Sequence, residues 1–282
     1  MIQKVKDIFK LFESRRFLWP ISAITGSLKK SLQNLRIQLI WKDSDGDWLN
    51  MQKDLTLYSP TILTDTLTEI KAKVRKYFFY KYEPRKGDII LDIGAGIGDD
   101  AIYFSDIVGK EGKVIAIEAH PHTYRCLKKT IEANNLENVV AINVACSESS
   151  GKIKITKNLA YLGNNIFHFN DENNDFIEVK SVTIDSILEE LKIENVDFVK
   201  INIEGAEYGA LKGASSILKN NTNLAISCHD FKYLEGKGDF FKTFELVKKL
   251  LSENEINYFS RESSERELPF YIYTSNIGKT EV

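Results

Sequence analysis

A carboxylate and three alternating glycines stand together at residues 92–98 of the sequence. The segment reads Asp92-Ile-Gly94-Ala-Gly96-Ile-Gly98 and follows the apolar residues 89–91. Glycines at such a turn let a bulky ligand approach the backbone closely, because a side chain would occupy the ligand's space. A dinucleotide-binding turn, Gly-x-Gly-x-x-Gly, would need glycine at position 99, where the sequence has Asp99. The spacing therefore departs from the nicotinamide-dinucleotide fingerprint.

A second carboxylate, Glu118, ends the next apolar run at 113–118. A carboxylate in that place can accept both hydrogen bonds of a ribose diol. No pyrophosphate needs to be held if the ligand is S-adenosylmethionine, whose cationic amino-acid end favours groups such as Asp92 and the Gly94 backbone. The order of these groups predicts an S-adenosylmethionine site. The cofactor-binding residues predicted from these two segments are Asp92, Gly94, Gly96, Gly98 and Glu118.

Two histidines, His120 and His122, follow Glu118 closely enough to lie near the adenine ring. A structural alternative exists, in which Glu118 caps the helix that begins near Pro121 and His122 is merely exposed. We prefer the cofactor interpretation because the loop, the strand and Glu118 occur in the order that one binding site requires.

A third polar segment, Asp197-Phe-Val-Lys200-Ile-Asn202-Ile-Glu204-Gly-Ala-Glu207, again ends an apolar run with groups able to reach the same cleft. Methyl transfer is an in-line displacement in which the sulfonium supplies the leaving group, so a protein chiefly aligns the acceptor and removes its proton. The candidate bases are Glu204, Glu207, His229 and Asp230. Histidine is preferred because its ordinary pKa is about 6.5. We therefore predict His229, Glu204 and Asp230 as catalytic residues.

Each of these residues also has a structural explanation. His229 would be a polar residue satisfied at a strand end, and Glu204 and Glu207 would interact favourably with the positive end of a helix by roughly 0.3–1 kcal/mol. The same acids, with Asp230, offer the oxygen ligands that a divalent metal prefers. A divalent metal is a possible cofactor, but we do not expect one and predict no metal ligands.

Together these segments resemble the FkbM family of methyltransferases over roughly residues 60–230. The match rests on the loop at 92–98, Glu118, Asn143-Val-Ala145, Thr183-Ile-Asp185 and the segment 197–207. Members of that family mostly O-methylate sugars and other secondary-metabolite hydroxyls. The resemblance thus implies an S-adenosylmethionine-dependent O-methyltransferase with a small-molecule, sugar, glycan or glycolipid acceptor. It also implies cofactor contacts from Ala119, Ala145 and Asn202.

Two positions depart from the family pattern. Asn202 stands where members usually have aspartate, and Ala119 stands where a proline usually follows the glutamate. Asparagine cannot serve as a base or as a strong cation ligand, which moves the expected proton removal towards His229 and its neighbouring acids. The change also keeps open a non-catalytic interaction protein with this fold. An NAD-dependent oxidoreductase, the other alternative, is disfavoured by Asp99.

The elements that position these residues form an alternating series. Strand-like runs, most of them separated by helix-like segments, occur at 88–93, 113–118, 138–145, 196–203 and 223–228. Alternating strands and helices imply a parallel sheet, and the runs at 256–260 and 269–273 suit a closing hairpin. The predicted fold is therefore α/β, a Rossmann-like class I methyltransferase with a mostly parallel seven-stranded sheet and an antiparallel C-terminal strand.

The predicted methyltransferase domain covers residues 81–282 and carries an insertion at 151–182. Ile153 and Ile155 alternate there, and residues 176–182 are expected to pair back, so that the insertion forms a flap over the cleft. Its aromatic residues suit sugar stacking, or else form a small core of their own: Tyr161, Phe167 and Phe169.

The predicted N-terminal extension covers residues 1–80 and contains a basic helix and a hairpin. The hairpin at 37–58 turns at Ser44-Asp45-Gly46. Asp43, Asp45 and Asp47 stand at this turn, but the glycine is misplaced for an EF-hand and no glutamate closes the loop, which favours a plain turn.

Charge and cysteine content exclude some partners and favour a compartment. The net charge of -2 gives no general attraction to nucleic acid, and we expect no such partner. The first 36 residues are locally basic, which fits either a helix packed on the domain or peripheral contact with an anionic membrane. Three scattered cysteines and the lack of a membrane-spanning run favour the cytoplasm, with the inner membrane face as the alternative. The sequence does not predict an oligomeric state.

Overall fold

The computed structural model describes residues 38–156, 176–220 and 222–275. The strands are β1 (Leu39–Lys42), β2 (Trp48–Gln52), β3 (Leu55–Ser59), β4 (Ile89–Ile93), β5 (Lys113–Ile117), β6 (Val139–Ile142), β7 (Ala145–Cys146), β8 (Gly151–Thr156), β9 (Phe176–Val182), β10 (Phe198–Ile201), β11 (Asn223–Ser227), β12 (Tyr258–Phe259) and β13 (Tyr271–Thr274). The α-helices are α1 (Leu67–Tyr77), α2 (Asp99–Val108), α3 (Pro121–Ala133), α4 (Ile184–Leu191), α5 (Glu207–Lys212), α6 (Ser215–Lys219), α7 (Asp230–Leu234) and α8 (Phe244–Glu253). The predicted basic helix within residues 1–36 lies outside the described residues.

Seven strands form the central sheet in the order β12-β13-β11-β10-β4-β5-β6. β4 pairs in parallel with β5 and with β10, so that Ile93 lies between Ile117 and Ile201. β13 runs antiparallel to both of its neighbours, β11 and β12. The predicted Rossmann-like class I fold is confirmed, including the C-terminal hairpin that supplies the antiparallel strand.

The strand order reverses beside β4. The chain moves from β4 to β5 and β6 on one side, whereas β10 and β11 extend the sheet on the other side. Loops that follow the two strands at such a reversal turn apart, and a crevice opens at their carboxyl ends. The polar segments that begin after residues 91 and 201 leave the sheet at this crevice.

Helices cover both faces of the sheet. Ile90, Leu91 and Ile93 of β4 are each at most 1% exposed, as expected for a parallel strand buried on two sides. One face packs mainly against α1, α2 and α3, and the other against α4, α5, α6 and α8. Within the described ranges, no helix is long and apolar enough to cross a membrane.

The first three strands form a separate antiparallel sheet that packs on α3. The hairpin predicted at 37–58 is present between β1 and β2, and β3 adds a strand that the sequence did not predict. Lys129 of α3 donates to one carboxylate oxygen of each turn acid, at 2.6 Å, 2.6 Å and 2.8 Å for Asp43, Asp45 and Asp47. A single lysine ammonium group thus bridges the three acids of the turn. The division of the chain near residue 80 stays a prediction.

The predicted pairing within the insertion is confirmed. β8 and β9 are antiparallel, from Gly151 opposite Ser181 to Thr156 opposite Phe176, and β7 joins β9 in parallel. The part of the predicted flap at 157–175, with its three aromatic residues, lies outside the described residues.

The apolar run at 138–145 was predicted as one strand but forms two. β6 belongs to the central sheet and β7 to the small sheet of the insertion. Asn143 lies at the break, and its side-chain amide donates to the carbonyl oxygens of Glu118 at 2.8 Å and Ala119 at 3.0 Å. The asparagine therefore interrupts the strand and at the same time holds the loop that follows β5.

Candidate cofactor and acceptor site

The glycine loop after β4 forms one wall of a pocket at the carboxyl edge of the sheet. Gly94 and Gly96 line the pocket, and Gly94, Gly96 and Gly98 have φ angles of +78°, +58° and +87°. An added Cβ at Gly94 would lie 2.1 Å from the Asn202 carbonyl oxygen. At Gly98 it would lie 2.6 Å from the side chain of Leu127 on α3. The loop therefore needs glycine for its backbone conformation and for close packing.

Asp92 lies beneath the pocket, where it pairs with Lys200, a residue that was not predicted as part of the site. Asp92 is fully buried and is not among the described residues that line the pocket. Lys200 is 2% exposed and does line the pocket. Lys200 Nζ lies 2.9 Å from Asp92 Oδ1 and donates to the Gly94 carbonyl oxygen at 2.8 Å. Burial alone would lower the pKa of Lys200, but Asp92 and Asp100 outweigh it and hold the pKa above its ordinary value.

Glu118 stands at the end of β5 on the wall next to the glycine loop. Its two carboxylate oxygens accept hydrogen bonds from the backbone N–H groups of Gly96 at 3.0 Å and His120 at 2.8 Å. Burial raises the pKa of Glu118 to about 7, although both backbone donors act to lower it. Each oxygen has a second lone-pair site, so the ionised group retains capacity for a ribose diol.

Three further residues predicted from the family resemblance line the same pocket: Ala119, Ala145 and Asn202. His120 also lines it, and its Nδ1 caps α3 by accepting from the Thr123 backbone N–H at 3.4 Å. Burial lowers the pKa of His120 to about 4, so its ring is neutral at neutral pH. His122 instead lies against the N-terminal sheet, with Nε2 2.6 Å from Asp47 Oδ1.

Two acidic residues on the first turn of α2 complete the floor, and neither was predicted as a site residue. Asp99 and Asp100 both line the pocket. Burial and the nearby charges of Asp100 and Asp65 raise the pKa of Asp99 to about 7. In the sequence, Asp99 departs from the dinucleotide pattern, and an acid directly after the glycine loop is itself a signal of a pocket residue.

Glu204 lines the pocket beyond the end of β10. Its φ of +59° is a left-handed conformation, unusual for a residue other than glycine, and such strain is often retained at functional sites. Glu204 Oε1 lies 3.5 Å from His229 Nε2, and Oε2 forms an ion pair with Lys232. Burial acts to raise the pKa of Glu204, but these two partners outweigh it and hold the pKa below its ordinary value. The pocket thus contains an ionised carboxylate here.

His229 stands behind Glu204 and outside the lining that the described residues form. It is 3% exposed, and its Nδ1 lies 2.7 Å from Glu207 Oε1. Burial alone would lower the pKa of His229, but Glu207 and Glu204 raise it to about 9. The ring is therefore protonated at neutral pH, with a carboxylate facing each nitrogen. In this form His229 holds Glu204 in place but has no lone pair with which to take a proton.

Asp230 faces α8 instead of the pocket. Its Oδ2 accepts from the backbone N–H groups of Thr243 at 3.0 Å and Phe244 at 2.8 Å, in the manner of a helix cap. Glu207, in contrast, contacts both His229 and the start of α8, because its Oε2 accepts a hydrogen bond from Thr243 Oγ1 at 3.1 Å. The structure therefore brings Glu204, Glu207 and His229 together and sets Asp230 apart.

The groups that line the pocket suit a nucleoside ligand with charges of both signs. Glu118 offers acceptors for a diol, and the glycine loop allows close approach of the ligand to the backbone. Lys200, Asp99 and Asp100 supply charges of both signs at the floor. S-adenosylmethionine, which has a ribose diol, an ammonium group and a carboxylate, fits this set of groups.

Comparison with known proteins identifies a methyltransferase family and several partial relatives. The model of the methyltransferase FkbM domain matches residues 92–258. The hexuronic acid methyltransferase AglP of Haloferax volcanii is 24% identical over 147 residues, which cover 52% of this chain and 58% of that protein. A probable cobalt-precorrin-6B C(15)-methyltransferase (decarboxylating) of Sulfolobus acidocaldarius is 31% identical over 93 residues, which cover 33% of this chain and 48% of that protein. The chain thus matches less than two thirds of the length of each of these relatives.

Solved structures with a similar backbone include further methyltransferase-fold proteins. The crystal structure of a methyltransferase FkbM from Methylobacillus flagellatus KT has 18% sequence identity and a TM-score of 0.48, and the match covers 68% of this chain and 45% of that one. Aeropyrum pernix fibrillarin, in complex with natively bound S-adenosyl-L-methionine, has 13% identity and a TM-score of 0.44 over 84% of this chain and 92% of that one.

The family match extends from the first residue of the glycine loop to the start of β12 and covers more than half of the chain. It includes Glu118 and the segment 197–207, on which the resemblance in the sequence rested. The chain belongs to the FkbM family of methyltransferases.

Proposed function

We propose that this chain is an S-adenosylmethionine-dependent O-methyltransferase that acts on a hydroxyl group of a sugar, glycan or glycolipid. The observation that carries the proposal is one pocket lined by both Glu118 and the ionised carboxylate of Glu204. Glu118 suits the diol of a nucleoside, and Glu204 suits an alcohol that must lose its proton. Membership of the FkbM family supports methyl transfer, and the similarity to a hexuronic acid methyltransferase supports a sugar acceptor.

The cofactor would be held by the residues around the glycine loop. When bound, S-adenosylmethionine supplies an electrophilic methyl group on a sulfonium centre. Glu118 accepts hydrogen bonds from the ribose, and the loop backbone approaches the ligand closely. The proposed contacts from the lining are Gly94, Gly96, Glu118, Ala119, Ala145 and Asn202. Asp92 and Gly98 act from beneath, since Asp92 orients Lys200 and Gly98 lets α2 and α3 pack closely.

We assign Glu204 to the acceptor hydroxyl. Its carboxylate would accept the hydrogen bond of the acceptor hydroxyl and so orient the oxygen for methyl transfer. The acceptor oxygen would become positively charged, because its new bond to the methyl carbon replaces the carbon–sulfur bond of the sulfonium and a neutral thioether leaves. Its proton would then be strongly acidic. A carboxylate with a low pKa is then a sufficient acceptor, so the proton moves to Glu204.

His229 becomes a positioning residue in this proposal, instead of the base that the sequence suggested. Its protonated ring bridges Glu207 and Glu204, and Lys232 holds the other oxygen of Glu204. These cations keep Glu204 ionised and fix its orientation towards the pocket. Asp230 anchors the start of α8, from which Thr243 reaches Glu207.

The proposal is tested by methyl transfer from labelled S-adenosylmethionine to oligosaccharides and glycolipid extracts, with hexuronic acids included. We expect label in a carbohydrate ether fraction, whereas label in a methyl ester would indicate a carboxylate acceptor and contradict the hydroxyl acceptor. Glu204→Gln is the matched variant, because it keeps the size of the side chain but cannot take the proton. It should lower kcat by about 10²–10⁴-fold and leave cofactor binding unchanged. Label found only in protein or nucleic acid would contradict the sugar acceptor.

A binding experiment separates the proposed enzyme from an oxidoreductase. Thermal unfolding is measured with S-adenosylmethionine, S-adenosylhomocysteine and NAD in parallel. A ligand present at a hundredfold over its Kd stabilises the protein by about 2.7 kcal/mol. We expect this stabilisation with the two methionine-derived ligands and none with NAD. If S-adenosylmethionine and S-adenosylhomocysteine bind but none of the oligosaccharides and glycolipid extracts is methylated, the result would favour the non-catalytic interaction protein.

A further inference from the structure

One lysine on the pocket floor has a hydrogen-bond donor available for a ligand. An ammonium group has three donors. Lys200 donates one of them to the Gly94 carbonyl oxygen at 2.8 Å, and its ammonium group forms an ion pair with Asp92 Oδ1 at 2.9 Å. Asp100 Oδ2 is 3.6 Å away, beyond an ordinary hydrogen bond. Because Lys200 lines the pocket while 2% exposed, its remaining donor and its charge are presented in a largely desolvated place.

Three acidic side chains lie near Lys200, and its single positive charge can neutralise only one of them. Asp92 already forms the short ion pair with Lys200 and lies outside the described lining. Asp99 and Asp100 therefore face the pocket as a like-charged pair on the first turn of α2. Burial, and then the nearby charge of Asp100, raise the pKa of Asp99 to about 7. A ligand cation placed between them would relieve this repulsion, as an opposite charge does for a buried acid.

We infer that this floor recognises the zwitterionic amino-acid end of the cofactor, with Lys200 binding the α-carboxylate and the Asp99–Asp100 pair binding the α-ammonium group. The inference rests on the proposed function, since it takes S-adenosylmethionine as the ligand. The sequence pattern suggested that Asp92 contacts the cationic end of the ligand. In this inference, Asp99 and Asp100 on α2 make that contact instead. Asp92 becomes the fixed counter-charge that orients Lys200.

This assignment gives the pocket a complementary distribution of charge. Asp92 and Lys200 balance each other, which leaves Asp99 and Asp100 as the acidic pair at the pocket. A bound cation would favour the ionised form of Asp99, whose pKa is about 7 without it. S-adenosylmethionine brings an ammonium group and a sulfonium, both positive, and one carboxylate. Complementary potentials of this kind supply specificity. The floor would therefore select the complete cofactor over a nucleoside that lacks the amino-acid end.

The first experiment shortens the ligand and leaves the protein intact. Calorimetry measures the Kd of S-adenosylhomocysteine, of its decarboxylated and deaminated analogues, and of 5′-methylthioadenosine, which lacks both groups. Loss of either charged group should weaken binding at least about tenfold, the scale of a charge-assisted hydrogen bond. Loss of both should weaken it further. Equal Kd values for all four ligands would overturn the inference.

The second experiment changes the acids. Asp99→Asn and Asp100→Asn should each weaken binding of S-adenosylhomocysteine about tenfold and leave binding of the deaminated analogue unchanged. Asp106→Asn is the matched control, because Asp106 lies on the same helix but is exposed and paired with Lys71. It should change none of the Kd values. An equal loss for ligands with and without the ammonium group would refute the assignment of the two acids.

The third variant tests the lysine without leaving a buried charge. In Lys200→Met combined with Asp92→Asn, the Kd values for S-adenosylhomocysteine and its decarboxylated analogue should become equal. A tenfold preference that persists in this folded double variant would refute the role of Lys200. If circular dichroism shows that the variant does not fold, the ligand series on the native chain decides the question. If no adenosine ligand binds the native chain, the proposed function fails along with the inference.

Discussion

Binding of a nucleoside in the pocket should weaken as the pH falls below neutrality, because Glu118 titrates there. Burial raises the pKa of this carboxyl to about 7, so its protonated form persists to a far higher pH than in water. Protonation converts one acceptor oxygen into a donor, and only the ionised group can accept both hydrogens of a diol. The ionised fraction is roughly one eleventh at pH 6 and roughly ten elevenths at pH 8. The apparent Kd at pH 6 should therefore be about tenfold higher, or ~1.4 kcal/mol weaker.

The suitable ligand for this measurement is 5′-methylthioadenosine, studied by calorimetry at both pH values. It carries the diol but lacks the amino-acid end assigned to Asp99, whose pKa is also about 7. Glu118→Gln is the control, since it retains an acceptor and has no proton to lose. Its Kd should be the same at pH 6 and pH 8. A native protein that binds equally well at the two pH values would refute the role of Glu118.

Three further predictions concern stability. Lys200→Met should lower the free energy of unfolding by about 3–5 kcal/mol in urea titrations, because it leaves Asp92 buried and unpaired, and adding Asp92→Asn should recover part of the loss. Gly94→Ala should prevent folding or abolish ligand binding in calorimetry, because its Cβ would lie 2.1 Å from the Asn202 carbonyl oxygen. His229 has a folded pKa of about 9, above its ordinary 6.5. Its protonation therefore contributes about 3 kcal/mol to the free energy of unfolding, and this contribution is complete below pH 6.5 and is lost as the pH rises through 9. The His229→Gln variant should lack this pH-dependent contribution. Identical pH profiles of unfolding for the two proteins would contradict the prediction.

Much of the pocket could be predicted from the sequence because its signals are local. A glycine loop after an apolar run and a carboxylate at the end of the next run identify Gly94, Gly96 and Glu118 without knowledge of any distant contact. Lys200 carried a local signal too, since it is a lone charge within the buried strand Phe198–Ile201. Its role depends on Asp92, more than a hundred residues away, and only the alignment of β10 with β4 brings the two together.

Other features depend on several segments at once and had no adequate signal in the sequence. The protonated state of His229 requires Glu204 and Glu207 to converge on one ring, which no spacing rule reveals. β3 was missed because its turn, Lys53-Asp54, contains neither glycine nor proline. Pairing of β3 with β2 is set instead by packing, since Leu57 is 1% exposed in the core.

The ion pair between β4 and β10 also has a consequence for how the sheet assembles. Apart from these two residues the strands are wholly apolar, so hydrophobicity alone would tolerate other alignments of one strand along the other. In the native alignment Lys200 lies opposite Asp92. A slip by one residue would set Lys200 beside Leu91 or Ile93 and bury two unpaired charges, at a cost of several kcal/mol. The ion pair thus disfavours misaligned pairings of the two strands during folding. It also fixes how far the loop after each strand projects into the crevice.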